Sequence, residues 1–171
     1  MNNKLNFFIP CVPPSTTAQA HNKTMVRGKH AFVYTDPIGK QLKSNYISLL
    51  TPFRPKEPFS KAIQVNIVFS YPWRKSEKKS VITNYHYTPK TTKPDRDNMV
   101  KALFDSMSML NFWTDDQILC DGFICKLWGE TPGIGIEIVE CPQSYDIKFN
   151  EQNGVTTWEL ISDDNTPSIS E

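Results

Sequence analysis

Apolar and polar residues recur along this chain with two periods, and each period predicts its own kind of element. Lys4–Ile9 is a short apolar run that reads as a first strand, stopped by Pro10 and the Pro13–Pro14 pair. Ser15–Lys29 is polar and loop-like, and Ala31–Thr35 is a short strand of β-branched and aromatic residues. Asp36 followed by Pro37 is a helix start, because the carboxylate accepts from free N–H groups and proline presets the first helical φ. Ile38, Leu42, Tyr46, Leu49 and Leu50 then follow at helical spacing, which predicts a helix from Pro37 to about Leu50. Ile63, Val65, Ile67 and Phe69 alternate strictly, so Lys61–Tyr71 reads as a half-buried strand.

Pro72–Lys93 is polar and basic and is expected to form a loop. A second helix is predicted from Asn98 to about Leu110, burying Met99, Leu103, Met107 and Leu110, with Asn111 suited to its exit. Gln117–Trp128 reads as a strand, Gly129–Gly133 as a turn, and Ile134, Ile136 and Ile138 as a closing strand, together a hairpin. Beyond Cys141 the pattern weakens; Val155–Ile161 has the composition of one more strand, and the last ten residues read as disordered. The expectation is an α+β single domain over residues 1–141. Its sheet is mainly antiparallel or mixed, with two helices packed on it, and an acidic, partly disordered extension covers 142–171.

Composition narrows the class. The chain has 171 residues, 39% hydrophobic and 22% charged, a globular mix with no apolar run long enough to span a membrane. It opens without the apolar stretch of a secretory signal, and Cys11, Cys120, Cys125 and Cys141 form neither a CxxC pair nor a zinc spacing. A reduced, cytoplasmic protein is expected. The net charge of +1 averages two unlike regions. Residues 142–171 carry six acids and one base, which leaves eighteen bases against twelve acids in residues 1–141. A basic body is a hint of a polyanionic partner.

The candidate chemistry lies in Lys93-Pro94-Asp95-Arg96-Asp97-Asn98, followed by Lys101, Asp105 and later Asp115-Asp116. Asp95 and Asp97 are placed where extended chain enters the second helix, where residues two apart point the same way. Asp97, Lys101 and Asp105 share one helical stripe, and a short turn after the helix returns Asp115 or Asp116 alongside. Carboxylates gathered at one point repel unless a cation neutralises them, and hard oxygen donors suit Mg²⁺ or Mn²⁺. Such an ion activates water and steadies charge on a phosphoryl group, with Lys101 holding the water or neutralising the phosphate. The spacing alone is equally compatible with a simple N-cap at Asp95 or Asp97, an Asp97–Lys101 ion pair and ordinary turn acids at Asp115–Asp116.

Flanking bases add to the picture. Between Arg74 and Lys101 stand eight bases against three acids, with Tyr85 and Tyr87 among them; such a segment suits salt-dependent DNA binding or a solvated loop. Arg74, Lys90, Lys93, Arg96 and Lys101 are the candidate DNA contacts. His21, His30 and His86 read as surface histidines, and Phe112 and Trp113 as core beside the second helix.

The pattern Pro94-Asp95-x-Asp97-Asn98-x-x-Lys101-Ala102-x-Phe104-Asp105, followed by Phe112-Trp113-x-Asp115-Asp116-Gln117-Ile118, resembles the RusA family of Holliday junction resolvases known from bacterial prophages. The likeness reaches upstream to Phe8-Ile9-Pro10, Pro13-Pro14-Ser15 and Tyr34-Thr35, and covers roughly residues 4–140. It implies a small α+β homodimer that nicks four-way DNA junctions symmetrically with Mg²⁺, Mn²⁺ substituting, and no other small-molecule cofactor. By position it implies that Asp95, Asp97 and Asp116 bind the metal and that Lys101 is the essential lysine, with Asp115 and Asp105 supporting them. The segment Arg74–Thr92 and the acidic tail depart from the pattern. A nuclease for other branched or flapped DNA, and a junction-binding protein that does not cut, stand as the alternatives.

Overall fold

The computed structural model describes residues 3–16, 22–35, 37–152 and 155–161. They divide into two compact units, 1–141 and 142–171. In the first, strand β4 (Ile63–Pro72) is the spine of the main sheet, whose order is β1 (Lys4–Ile9), β8 (Gly133–Glu140), β4, β7 (Ile124–Gly129), β5 (Tyr87–Pro89), with β6 (Leu119–Asp121) also beside β4. β4 runs antiparallel to β8 and parallel to β7, so that Ile67 lies opposite Ile136 on one side and Ile124 on the other. The fold is α+β with a mixed sheet, as expected.

The alternation in β4 sends Ile63, Val65, Ile67, Phe69 and Tyr71 to one face, and all five are buried. Against that core lie α1 (Pro37–Leu50), through Tyr46 and Leu50, and α3 (Arg96–Met109), through Met99, Leu103 and Met107. The two helices also contact each other. None of the helices among the described residues is long and apolar enough to cross a membrane.

Four expectations change. The polar segment before residue 30 is partly a strand: β2 (Asn22–Arg27) pairs with β3 (His30–Thr35) around Gly28–Lys29. Gly28 has φ +65°, the conformation a two-residue hairpin turn requires at its first central position. The loop 72–93 contains a short helix, α2 (Lys79–Asn84), and β5. The single strand expected over Gln117–Trp128 is broken into a 3-10 turn (Asp116–Ile118), β6 and β7. The break falls at Gly122, with φ +143°, where a Cβ would stand 2.1 Å from the Val65 carbonyl oxygen; only glycine lets the chain pass that close. Finally, β7 and β8 do not form the expected hairpin, because β4 inserts between them. Periodicity reports which face a strand buries and carries nothing about its neighbour.

The second unit is an antiparallel hairpin of β9 (Asp146–Gln152) and β10 (Val155–Ile161). β9 was not expected; its polar residues hide the strand period. The proposed cap at Asp36, the histidine at His21 and the last ten residues lie outside the described residues.

Candidate active site

Helix α3 begins at Arg96, two residues earlier than the apolar pattern suggests, with Asp95 in extended conformation at its N-cap. The Asp95 side chain makes no capping hydrogen bond, so the simple N-cap role is not the one it plays. Asp97 lies inside the first turn, where a carboxylate is favoured by the unpaired N–H groups and the helix dipole. This changes the local geometry. Asp95 and Asp97 therefore have different backbone conformations, one extended and one helical.

The exposed side of α3 forms one wall of a cavity of about 520 Å³. Arg96, Asp97, Val100, Lys101, Phe104, Asp105 and Ser108 line it in helical succession. Opposite stand Asp116, Leu119 and Ile124. Asp97, Lys101, Asp105 and Asp116 therefore open on one space, while Asp95 and Asp115 are outside its lining.

Asp116 reaches that wall because the chain after α3 is tied down residue by residue. Asn111 takes φ +54°, the left-handed exit that asparagine tolerates. Phe112 and Trp113 are then buried, 0% and 2% exposed, and the Trp113 indole N–H donates to the Ser108 hydroxyl at 2.8 Å. The Phe59 N–H donates to the Phe112 carbonyl, and the Thr114 N–H to the Phe59 carbonyl, both at 2.9 Å. The Asp115 carboxylate accepts from the Gln117 N–H at 3.0 Å and shapes the 3-10 turn that presents Asp116. Asp115 thus supports its neighbour by fixing the turn.

Asp97, Lys101 and Asp116 take part in no ion pair among the described residues, which removes the alternative of an Asp97–Lys101 helix pair. Asp105 does have a partner, Lys43 of α1, at 3.9 Å. No three His, Cys, Asp or Glu side chains gather closely enough to cage a metal ion among the described residues. Of the three carboxylates facing this open space, Asp97 and Asp116 have no ion-pair partner among the described residues, and such oxygens suit a hard divalent cation that keeps waters and takes further oxygens from a phosphate. The residues present fit such an ion as a partial set of oxygen donors.

The bases expected to contact DNA divide into two groups. Lys93, Arg96 and Lys101 are exposed, and Arg96 and Lys101 line the cavity, where Arg96 also donates to the Ile124 carbonyl at 3.5 Å. Lys90 is corrected: it is 6% exposed, and its ammonium donates to the Thr92 carbonyl, the Thr92 hydroxyl and the Lys93 carbonyl. It also sits 4.8 Å and 4.5 Å from the ring centres of Tyr71 and Trp128. Burial, and then repulsion from Lys126 and Arg74, push its pKa below that of an ordinary lysine. Arg74 is engaged as well, donating twice to Glu77, at 2.8 and 3.0 Å, beside the Trp128 ring. That contact holds the Glu77 carboxyl below its usual range. His86 pairs with Glu130, and Tyr85 and Tyr87 are exposed.

One residue of the site escaped sequence reasoning. Lys126 of β7 donates to the Thr92 and Pro94 carbonyls at 2.7 and 2.6 Å, holding the segment that leads into Asp95. Its signal was a lone lysine inside the apolar run Ile124-Cys125-Lys126-Leu127-Trp128. The Lys93–Pro94 peptide within this segment is cis.

Comparison with known proteins adds one finding. None of the curated proteins matches the chain. The family described as Endodeoxyribonuclease RusA matches residues 12–139, most of the first unit, including β4, α3 and the turn that carries Asp116. A match over well more than half of its length, on the segment that builds this cavity, shows that the chain belongs to the RusA endodeoxyribonuclease family.

Proposed function

We propose that this protein resolves Holliday junctions as a homodimer, hydrolysing one phosphodiester in each of two symmetry-related strands with Mg²⁺ or Mn²⁺. The observation that carries the reading is the opening of Asp97, Lys101 and Asp116 onto one cavity in a chain of this family. Clustered acids beside a phosphate site have no use in binding alone, since they repel the backbone; a cation makes them productive.

Asp97 and Asp116 would hold the ion, and Asp95, one residue before the helix, would supply a third oxygen donor to the same ion. When bound, Mg²⁺ lowers the pKa of water and offsets charge on the phosphoryl oxygens. The protein's own groups do the rest. Lys101 sits one helical turn from Asp97, and its ammonium neutralises a non-bridging oxygen as charge grows during attack. Arg96, at the mouth of the same cavity, holds the neighbouring phosphate, and Lys93 extends that grip along the strand. Water adds to phosphorus, the P–O bond to the leaving sugar oxygen breaks, and that oxygen takes up a proton. A two-fold dimer presents two such sites to a two-fold junction.

The test is a labelled four-way junction and a matched linear duplex, each incubated with Mg²⁺ or EDTA. Paired nicks in the junction alone, lost in EDTA and in Asp97→Asn, are expected. Equal cutting of flaps or duplex would instead assign a broader branched-DNA nuclease. Tight junction binding without cleavage in either metal would leave a binding protein.

A further inference from the structure

A second cavity, of about 530 Å³, is lined in part by Thr92 and Lys93, just before the segment that leads into α3. Its walls are Pro13, Pro14, Tyr71 and Trp128, with Val12 at the mouth and Lys93 on the rim. The Tyr71 hydroxyl donates to the Pro14 carbonyl at 2.7 Å, which fixes the proline segment on β4. Trp128 meets Tyr71 edge to face at 5.8 Å, with the Lys90 ammonium against both rings. No acidic side chain lines the space among the described residues; Lys93 is exposed at it, while the Lys90 ammonium is taken up by the Thr92 and Lys93 oxygens.

Flat apolar walls of proline and aromatic rings suit the faces of a planar ring, and the positive rim suits an anionic linkage attached to it. That combination is a nucleotide within a strand. Lys93 stands four residues before Asp97, so a DNA strand engaging both cavities would cross this rim. We propose that the slot between Pro13–Pro14 and Trp128 takes one unstacked nucleobase of the bound DNA, beside the phosphate that is cut. The inference rests on the nuclease reading and extends it, since a base at a branch point has already lost part of its stacking and is the cheapest one to take.

Binding in EDTA is measured on a series of four-way junctions, each carrying one abasic nucleotide at successive positions from the crossover. The unmodified chain should lose about tenfold in affinity at one position, the worth of one stacked base, and little at the others. In Val12→Trp, which fills the mouth from an exposed position, that position should cost nothing further. In the unmodified chain, 2-aminopurine placed there should report unstacking on binding. A flat abasic profile, or one unchanged in Val12→Trp, would overturn the slot while intact-junction cleavage still stood. Failure to bind or cut the intact junction would overturn the nuclease reading and the slot with it.

Discussion

Lys90 and Lys126 place their ammonium groups on the same oxygen, the Thr92 carbonyl, at 3.1 and 2.7 Å. Two like charges at one acceptor are tolerated because each has further partners: the Lys93 carbonyl and two aromatic faces for Lys90, the Pro94 carbonyl for Lys126. Their backbones are joined too, the Lys90 N–H donating to the Lys126 carbonyl at 2.8 Å. The pair thereby clamps the last residues before Asp95 onto strand β7.

This clamp predicts separable effects. Lys126→Ala frees two carbonyls at the partly exposed edge and should cost stability only about 1 kcal/mol. It should slow cleavage at least tenfold by loosening the approach to α3, with junction affinity nearly unchanged. Lys90→Ala removes a buried, multiply bonded group and should cost about 2–3 kcal/mol in urea unfolding. Equal stability losses in the two variants would refute the division.

Within the cavity, the charge of Lys101 should matter more for cleavage than that of Asp105. Lys101→Met should lower the single-turnover cleavage rate by about two to three orders of magnitude, the usual effect of removing one transition-state charge contact. Asp105→Asn, whose carboxylate is already tied to Lys43, should cost less than tenfold. Comparable losses at both positions would place Asp105 among the ligands instead.

Gly122 is the backbone position with least room. An alanine there meets both a positive φ and a carbonyl oxygen 2.1 Å from its Cβ. Gly122→Ala should destabilise the fold by about 2–4 kcal/mol, read as a lower midpoint in thermal or urea unfolding. An unchanged midpoint would mean that the β6–β7 connection relaxes freely.

The acid limb of stability should carry a contribution from Glu137. Its carboxylate accepts from Lys4 at 2.6 Å and from Asn66 at 2.9 Å, in that order of effect, and its pKa is lowered from 4.5. A depressed native pKa means that the unfolded chain binds the proton more tightly, so stability rises with pH across this window. The contribution is full above about pH 4.5 and is lost as pH falls through the lowered value. Because both partners are partly exposed, it amounts to no more than about 1 kcal/mol. Glu137→Gln should flatten the pH dependence of unfolding below pH 4.5 and leave its neutral-pH slope unchanged.

The sequence by itself determined the two long helices α1 and α3, the central strand and the carboxylate pattern, because each is written in local terms. Apolar spacing marks the face of α3 that must be buried, and the polar stripe left over carries Asp97, Lys101 and Asp105. Phe112–Trp113 is an apolar pair after a helix stop, and burial of that pair forces the chain to return with Asp116. Tertiary structure alone decided the rest. Strand neighbours follow from which edges meet, so β4 lies between β7 and β8 although those two are adjacent in sequence. Whether a lysine faces DNA or the interior depends on what surrounds it, and oxygens of Thr92 and Lys93 with two aromatic rings drew Lys90 inward. The backbone conformation of Asp97 against that of Asp95 turned on where the helix begins, a matter of one or two residues that the hydrophobic period leaves free.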